Sequence, residues 1–321
     1  MTRPARILVT GAGGFVGRTL LPRLRAGFPD AVLIGAGRDG QVRGTDAGLP
    51  FDLLQPEAFA DMVAAARPDA VLHLAAQADV AASFRDPAGS WRANLVGTVA
   101  FGEAVLRAAP QAAFLFVSSG EIYGLGFQAG LPLAEEAAFS PANPYAASKA
   151  AADLAIGEMA LRGLRAVRLR PFSHTGPGQA PHYVVAAFAR QVALIEAGRQ
   201  APVIRTGALD RWRDLLDVQD VCAAYVRVLD LADRLPPGLA INLCSGRPHR
   251  VGDVLAELMA LAGVEARVEE AASLLRPTDV EHVQGDPSRA RAVLGWSPAI
   301  PWQDTLRSVL DDWRSRIAAG E

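Results

Sequence analysis

A short apolar stretch that reads as a strand, Arg6-Ile-Leu-Val-Thr10, runs directly into Gly11-Ala-Gly-Gly14-Phe-Val-Gly17 and then into a helical pattern. Few N-terminal arrangements restrict a fold so much. Glycine lets the backbone turn tightly at the end of a strand and approach a ligand closely, and a helix beginning there aims its unpaired N–H groups at that ligand. Strand, Gly-rich turn and helix in this order predict a dinucleotide site, with Gly11, Gly14, Phe15, Val16 and Gly17 around the pyrophosphate. Pro22 falls inside that helix and is expected to kink it or to cost about 3 kcal/mol.

Strand and helix patterns alternate along the rest of the chain. Ala31-Val-Leu-Ile34 reads as a second strand, followed by Gly35-Ala-Gly-Arg38 and a Gly-rich loop to Gly48. An acid after this strand would bond a ribose 2′-OH and repel a 2′-phosphate, whereas an arginine accommodates the phosphate. Arg38 stands there with no acid before Asp39, so NADP(H) is expected, with NAD(H) as the alternative. Pro56 to Arg67 reads as a helix, and Ala70 to Gln77 as a strand in which His73 is a core histidine. Helices are expected from Trp91 to Ala109, Tyr145 to Leu161, His182 to Ala197 and Val251 to Ala262. Strands are expected at Ala113–Val117, Arg165–Pro171, Pro202–Thr206 and from Leu239. The pattern predicts an α/β fold, a doubly wound Rossmann-like parallel sheet with a smaller, discontinuous α/β substrate lobe. Its expected division is 1–173 with 214–245 for the nucleotide-binding domain, and 174–213 with 246–321 for the lobe.

The apolar run Ala113–Val117 stops at Ser118-Ser-Gly-Glu121, and Asn143-Pro144 then reads as an N-cap followed by Pro at the first helical position. Tyr145 and Lys149 open that helix. Four residues apart, they share one face, so an ammonium sits beside a phenol and is expected to lower its pKa. With a strand-end serine and a nicotinamide nearby, such a pair can deliver a proton to a carbonyl oxygen as hydride reaches its carbon.

Ser119, Tyr145 and the Tyr-x-x-x-Lys spacing, with Ser118-Ser-Gly-Glu-Ile-Tyr-Gly124 and Pro144-Tyr-Ala-Ala-Ser-Lys149, resemble the extended branch of the short-chain dehydrogenase/reductase family, whose members act on nucleotide sugars. The Gly-x-x-Gly-x-x-Gly turn is similar to that branch as well, and the resemblance runs from Ile7 to Trp313. It implies catalytic roles for Ser119, Tyr145, Lys149 and Glu121. It also implies cofactor contacts at Asp52 and Leu53, at Leu74-Ala-Ala-Gln77, at Asn94 of Asn-x-x-Gly-Thr, at Lys149 and at Pro171. Phe172-Ser-His-Thr-Gly-Pro-Gly-Gln179, following Arg170-Pro171, resembles the loop of the branch's reductases of GDP-4-keto-6-deoxy-mannose, with Ser173 in place of Asn. Ser119, Glu121, Ser173, His174 and Gln179 are thereby implied as substrate contacts, joined by Arg213 and Arg276 for the nucleotide. The activity implied is NADPH-dependent reduction of the C4 ketone of GDP-4-keto-6-deoxy-D-mannose to GDP-D-rhamnose. A 4,6-dehydratase with Glu121 as its acid, a 4-epimerase, and a non-catalytic nucleotide sensor are the alternatives. Gly120 stands where such dehydratases carry a polar residue.

Composition narrows the partners. A net charge of −2 gives no basic footprint for nucleic acid or a membrane surface, and no apolar run reaches transmembrane length. Five scattered histidines and two cysteines, Cys222 and Cys244, make no metal-binding pattern; the thiols read as reduced and buried, which with the absence of a signal-type segment predicts a cytoplasmic protein. The helices at 91–109 and 145–161 are apolar almost all round. They are expected to meet their counterparts in a homodimer.

Overall fold

The computed structural model describes residues 3–275 and 278–321. Chain order in the first half is β1 (Arg6–Thr10), α1 (Phe15–Gly27), β2 (Val32–Gly37), β3 (Ala47–Pro50), α2 (Phe59–Ala66), β4 (Ala70–His73), α3 (Val80–Arg85) and α4 (Pro87–Trp91). A π-helical turn at Arg92–Gly97 leads into α5 (Thr98–Ala108), then β5 (Ala113–Val117), a 3₁₀ segment at Gly120–Ala129, α6 (Pro144–Leu161) and β6 (Arg165–Pro171). The second half adds β7 (Ser173–Thr175), α7 (Val184–Glu196), β8 (Val203–Thr206), β9 (Trp212–Asp217), α8 (Val218–Asp230) and β10 (Leu239–Leu243). It ends with β11 (Pro248–Arg250), α9 (Val251–Ala262), β12 (Arg267–Glu270), α10 (Ser288–Leu294) and α11 (Trp302–Ala318).

Seven strands form one parallel sheet in the order β10-β6-β5-β4-β1-β2-β3. From β1 the chain steps outward to β2 and β3, then returns to build β4, β5 and β6 on the other side. That reversal leaves a crevice beyond the carboxyl ends of β1 and β4, the position where open α/β sheets bind ligands. The sheet is covered on both faces, which is why its central strands are apolar without alternation. On one face α1 and α8 enclose Ile7, Val9, Leu115, Leu169 and Ile241; on the other, α2, α5 and α6 enclose Leu8, Val71, Phe114 and Phe116.

A third core joins α7, α9 and α11 around Phe188, Leu258, Leu310 and the fully buried Trp313. Two small sheets flank it, β11-β9-β7 and β12-β8. Within 246–321, however, α10 and Trp296 turn back onto the core of the large sheet. Trp296 donates its indole N–H to the Asp220 carbonyl at 3.1 Å.

Several expectations change in detail. The segment read as a Gly-rich loop to Gly48 contains the edge strand β3, in register with Ile34–Gly37 of a longer β2. Gly48 is there because an added Cβ would sit 2.0 Å from the Gly40 carbonyl oxygen. The strand expected to reach Gln77 ends at His73, and the single helix expected over 91–109 is broken by the π-helical turn. At Gly97 an added Cβ would lie 2.5 Å from the Leu53 carbonyl oxygen, so the turn brings that backbone against the 51–54 loop. Pro22 leaves α1 continuous. Its ring and Arg18, whose carbonyl it deprives of a donor, both lie on the solvent side.

His73 is fully enclosed and bridges two threonines, Nδ1 to Thr10 Oγ1 at 2.7 Å and Nε2 to Thr98 Oγ1 at 3.1 Å. Burial, reinforced by the Lys149 charge, lowers its pKa to about 3. The unfolded chain therefore takes up a proton at this residue as pH falls below its ordinary value near 6.5 while the native chain does not, so stability is lost between that value and about 3. His73→Gln should show a smaller drop in urea midpoint between pH 7.5 and pH 4.5 than the parent chain. An identical drop would assign the acid sensitivity to carboxylates alone.

Candidate active site

The crevice is one cleft of about 1860 Å³ that continues from the sheet edge to the lobe. Single small-ligand pockets are usually about 300–1,000 Å³, so the cleft has room for a dinucleotide and a second ligand together.

At its inner end, Gly11 adopts φ +70°, and an added Cβ would lie 2.8 Å from the Ala75 backbone nitrogen. At Gly17 an added Cβ would be 2.3 Å from the Ala12 carbonyl oxygen, so the turn and helix are packed without space for a side chain. Gly13 differs: a Cβ there would meet nothing within 4 Å, and the bare backbone faces open space. The N-cap residue Gly14 supplies no side-chain bond, and the first turn of α1 holds no acid. Unpaired N–H groups with no competing carboxylate fit a phosphate.

Farther along the wall, Arg38 follows β2, and Arg18 and Arg43 line the same stretch. Arg38 and Arg43 have no ion-pair partner among the described residues. Asp52 and Leu53 face the cleft, as do Leu74, Ala75, Ala76 and Gln77 in the loop after β4. Asn94 is the exception among the residues expected to touch a cofactor. It is fully buried behind that loop, accepts from Gln77 N at 2.8 Å, and donates to Gln77 O at 2.9 Å and Ser148 Oγ at 3.0 Å. Its amide is used in fastening the loop to α6.

Ser119, Tyr145, Lys149 and Glu121 meet at the centre. Asn143 caps α6 by accepting from Ala146 N at 2.8 Å, with Pro144 at the first helical position, and so fixes where Tyr145 emerges. The Asn143 amide also reaches Glu121 Oε2 at 3.4 Å. Ser119 lies two residues beyond β5, accepts from Glu121 N at 3.1 Å, and lies within hydrogen-bonding reach of the Tyr145 phenol. Lys149 is enclosed, donates to Val117 O at 2.6 Å, and rests 4.5 Å from the centre of the Phe116 ring. Burial lowers its pKa to about 7, with Asp153 one turn further along α6 acting in the opposite sense. The expected lowering of the phenol pKa by this ammonium is reversed here. Although Tyr145 keeps part of its surface open to the cleft, desolvation holds its pKa above the ordinary phenol range, and the Ser119 hydrogen bond offsets that only in part. The cause is burial of the phenol itself, while the Lys149 ammonium is directed at Val117 O.

Toward the lobe, Pro171 and Ser173 line the cleft, and His174 stacks on Phe15 with ring centres 6.2 Å apart. Gln179 is buried, with its amide accepting from Thr175 Oγ1 at 2.7 Å and donating to His174 O at 2.9 Å, so it braces the loop from within. Gly120 has a steric cause: an added Cβ would stand 2.7 Å from the Phe172 ring. Arg213 reaches the cleft wall, donates to Val280 O at 2.8 Å and pairs with Asp279. Arg211, which the motifs did not single out, holds the other oxygen of that carboxylate at 3.0 Å. Arg276 lies outside the described residues.

Among the described residues no group of histidines, cysteines and acids could hold a metal ion, and no helix is long and apolar enough to cross a membrane. Cys222 and Cys244 are unpaired and buried.

A phosphate cradle, a serine–tyrosine–lysine group and a second chamber share one cleft, and residues 7–244 match the NAD dependent epimerase/dehydratase family. The chain belongs to that family. It is 37% identical over 313 residues to GDP-6-deoxy-D-mannose reductase of Pseudomonas aeruginosa, covering 97% of this chain and 98% of the relative. The structure of RMD from Pseudomonas aeruginosa complexed with NADPH superposes with a TM-score of 0.84 at 36% identity, covering 97% of this chain and 98% of that one. The UDP-glucose 4-epimerase of Thermus thermophilus in complex with NAD gives 0.83 at 30% identity, covering 96% of this chain and 99% of that one. This family member thus shares nearly its whole length with a reductase and with an epimerase.

Proposed function

We propose that the chain is an NADPH-dependent reductase of the C4 ketone of GDP-4-keto-6-deoxy-D-mannose, forming GDP-D-rhamnose. The observation that carries the reading is Tyr145 beside Ser119 and Lys149 in a cleft with room for two ligands. Reduction of a ketone needs a proton donor at the start. Epimerisation and dehydration first oxidise an alcohol, and so need the same group as a base. Likeness along nearly the full chain to a GDP-6-deoxy-D-mannose reductase supports the same choice.

The bound nicotinamide would supply hydride to C4, and the Gly11–Gly17 turn would hold its pyrophosphate. Tyr145 gives its proton to the ketone oxygen, Ser119 orients that oxygen, and Lys149 meets the ribose. Ser173, His174 and Glu121 face the sugar, and Arg213 serves the nucleotide diphosphate once Asp279 yields its hydrogen bond. We divide the chain into a nucleotide-binding domain of 1–173 with 214–245 and a lobe of 174–213 with 246–321, whose α10 is seated on the sheet core. The direct test is whether NADPH disappears mole for mole with the 4-keto sugar.

Cofactor choice rests on Arg38. Arg38→Ala should lower kcat/KM for NADPH by about 10-fold or more, the scale of one charge-assisted bond to a phosphate, and leave NADH nearly unchanged. A parent enzyme that prefers NADH would contradict this.

The proposed dimer face is apolar and open. Val96 is 54% exposed and Leu154 61% exposed, both on the helices expected to pair across a two-fold axis. Unpaired buried thiols suit a reducing, cytoplasmic setting.

A further inference from the structure

Tyr225 belongs to no motif, and nothing in the mechanism above uses it. It sits on α8, fully buried, in the apolar core shared with Ala12, Val218 and Cys222, and it reaches the wall of the cleft. Its hydroxyl has no hydrogen-bond partner among the described residues. An unmet buried hydroxyl opposes folding, and a phenylalanine would fill the same space without that cost. The oxygen therefore points to a partner from outside the chain.

The surroundings indicate what that is. Ser118, at the end of β5, is also buried, also lines the cleft and also has an unpartnered hydroxyl. Tyr225 stands on α8, which packs against β5 and β7, the strands that lead to Ser118 and Ser119 on one side and to the 173–179 loop on the other, so it lies toward the reacting end of the cleft. Burial keeps the Tyr225 phenol neutral, so it is both a donor and an acceptor. Both hydroxyls donate and accept, so they suit a neutral group that does the same. A primary carboxamide has that character.

Resting on the nicotinamide reading above, we propose that Tyr225, together with Ser118, binds the carboxamide of the nicotinamide and fixes which face of the ring is turned toward the substrate. Tyr225 is then a cofactor-positioning residue contributed by the helix beneath the sheet edge.

The test compares the parent chain with Tyr225→Phe, measuring Kd by calorimetry for NADPH and for adenosine 2′,5′-bisphosphate, which lacks the nicotinamide half. NADH and ADP-ribose are run in parallel, and the melting temperature of the ligand-free protein is recorded. Tyr225→Phe should weaken dinucleotide binding by about 5-fold, the scale of one neutral hydrogen bond, and leave both fragments unchanged. The ligand-free variant should melt at the same temperature or higher, because an unmet hydroxyl has gone. Unchanged dinucleotide binding, an equal loss for the fragments, or a lower melting temperature would each overturn the assignment. A parent chain that prefers NADH would refute the NADPH reading, while the NADH and ADP-ribose pair would still decide Tyr225. A parent chain that binds neither dinucleotide would overturn both.

Discussion

Tyr145→Phe should reduce turnover by about 10²–10⁴-fold, the usual worth of a positioned general acid, with cofactor affinity nearly unchanged. The substitution removes one hydroxyl and keeps the ring, so α6 and its Asn143 cap are undisturbed. What is lost is the donor that meets the developing alkoxide. Ser119 remains, but its hydroxyl is bound to the Glu121 N–H and is far less acidic than a phenol. Lys149 keeps its bond to Val117 O and, in this account, its place at the ribose. The loss should fall on kcat more than on KM, since the bond is made chiefly as the proton moves. Turnover within a few-fold of the parent would transfer the proton to another group, with Glu121 first in line.

Asp153→Ala should destabilise the chain by about 3–5 kcal/mol, the range for removing one partner of a buried ion pair. Asp153 is fully buried and receives Arg170 through two bonds, Nε to Oδ2 at 3.0 Å and Nη2 to Oδ1 at 2.9 Å. Arg168 adds a third at 2.8 Å. Arg170 is itself 2% exposed and also donates to Tyr123 and the Glu135 carbonyl. Without Asp153 its charge stays in the interior with only neutral partners. The same pair fastens α6 to β6, so the helix that carries Tyr145 and Lys149 should lose activity as well as stability. Urea unfolding at fixed pH gives the value directly. Arg168→Ala, with its more exposed head, should cost much less. A loss below about 1 kcal/mol for Asp153→Ala would mean that Arg170 finds water or another acceptor.

Features with local causes were readable from the chain. A Gly-rich turn after a strand, Asn143-Pro144 before a helix, and two side chains four residues apart each specify their own geometry through backbone sterics and helical period. The large sheet followed from apolar runs separated by helices. Other features depend on distant partners and left no local mark. β3 contains Ala-Gly-Leu-Pro, a poor strand by propensity, and forms because β2 offers it an edge. Asn94 has a family motif around it, yet its amide turns away from the cleft to hold Gln77 and Ser148. Gln179 and Arg213 carried motifs too, and the fold gives both of them internal partners that spacing alone does not reveal. Asp153 and Tyr225 look in sequence like ordinary members of apolar helices. Only tertiary packing distinguishes a buried anion with two arginines, or a phenol with no partner, from a core residue. The phenol pKa was misread for a related reason: helical spacing places Lys149 beside Tyr145 but does not reveal how dry both groups are.

The central claim is net reduction, and cofactor stoichiometry tests it most directly. A dehydratase returns hydride to the sugar from which it came and keeps its cofactor, whereas a reductase must consume one NADPH for each sugar converted. The protein is incubated with GDP-mannose alone and, separately, with GDP-4-keto-6-deoxy-D-mannose plus NADPH, while absorbance of the reduced cofactor and the product NMR spectrum are followed. The account predicts no change in the first mixture and, in the second, loss of NADPH mole for mole with appearance of GDP-D-rhamnose. Conversion of GDP-mannose to its 4-keto form without added NADPH would contradict it and make Glu121 the central acid.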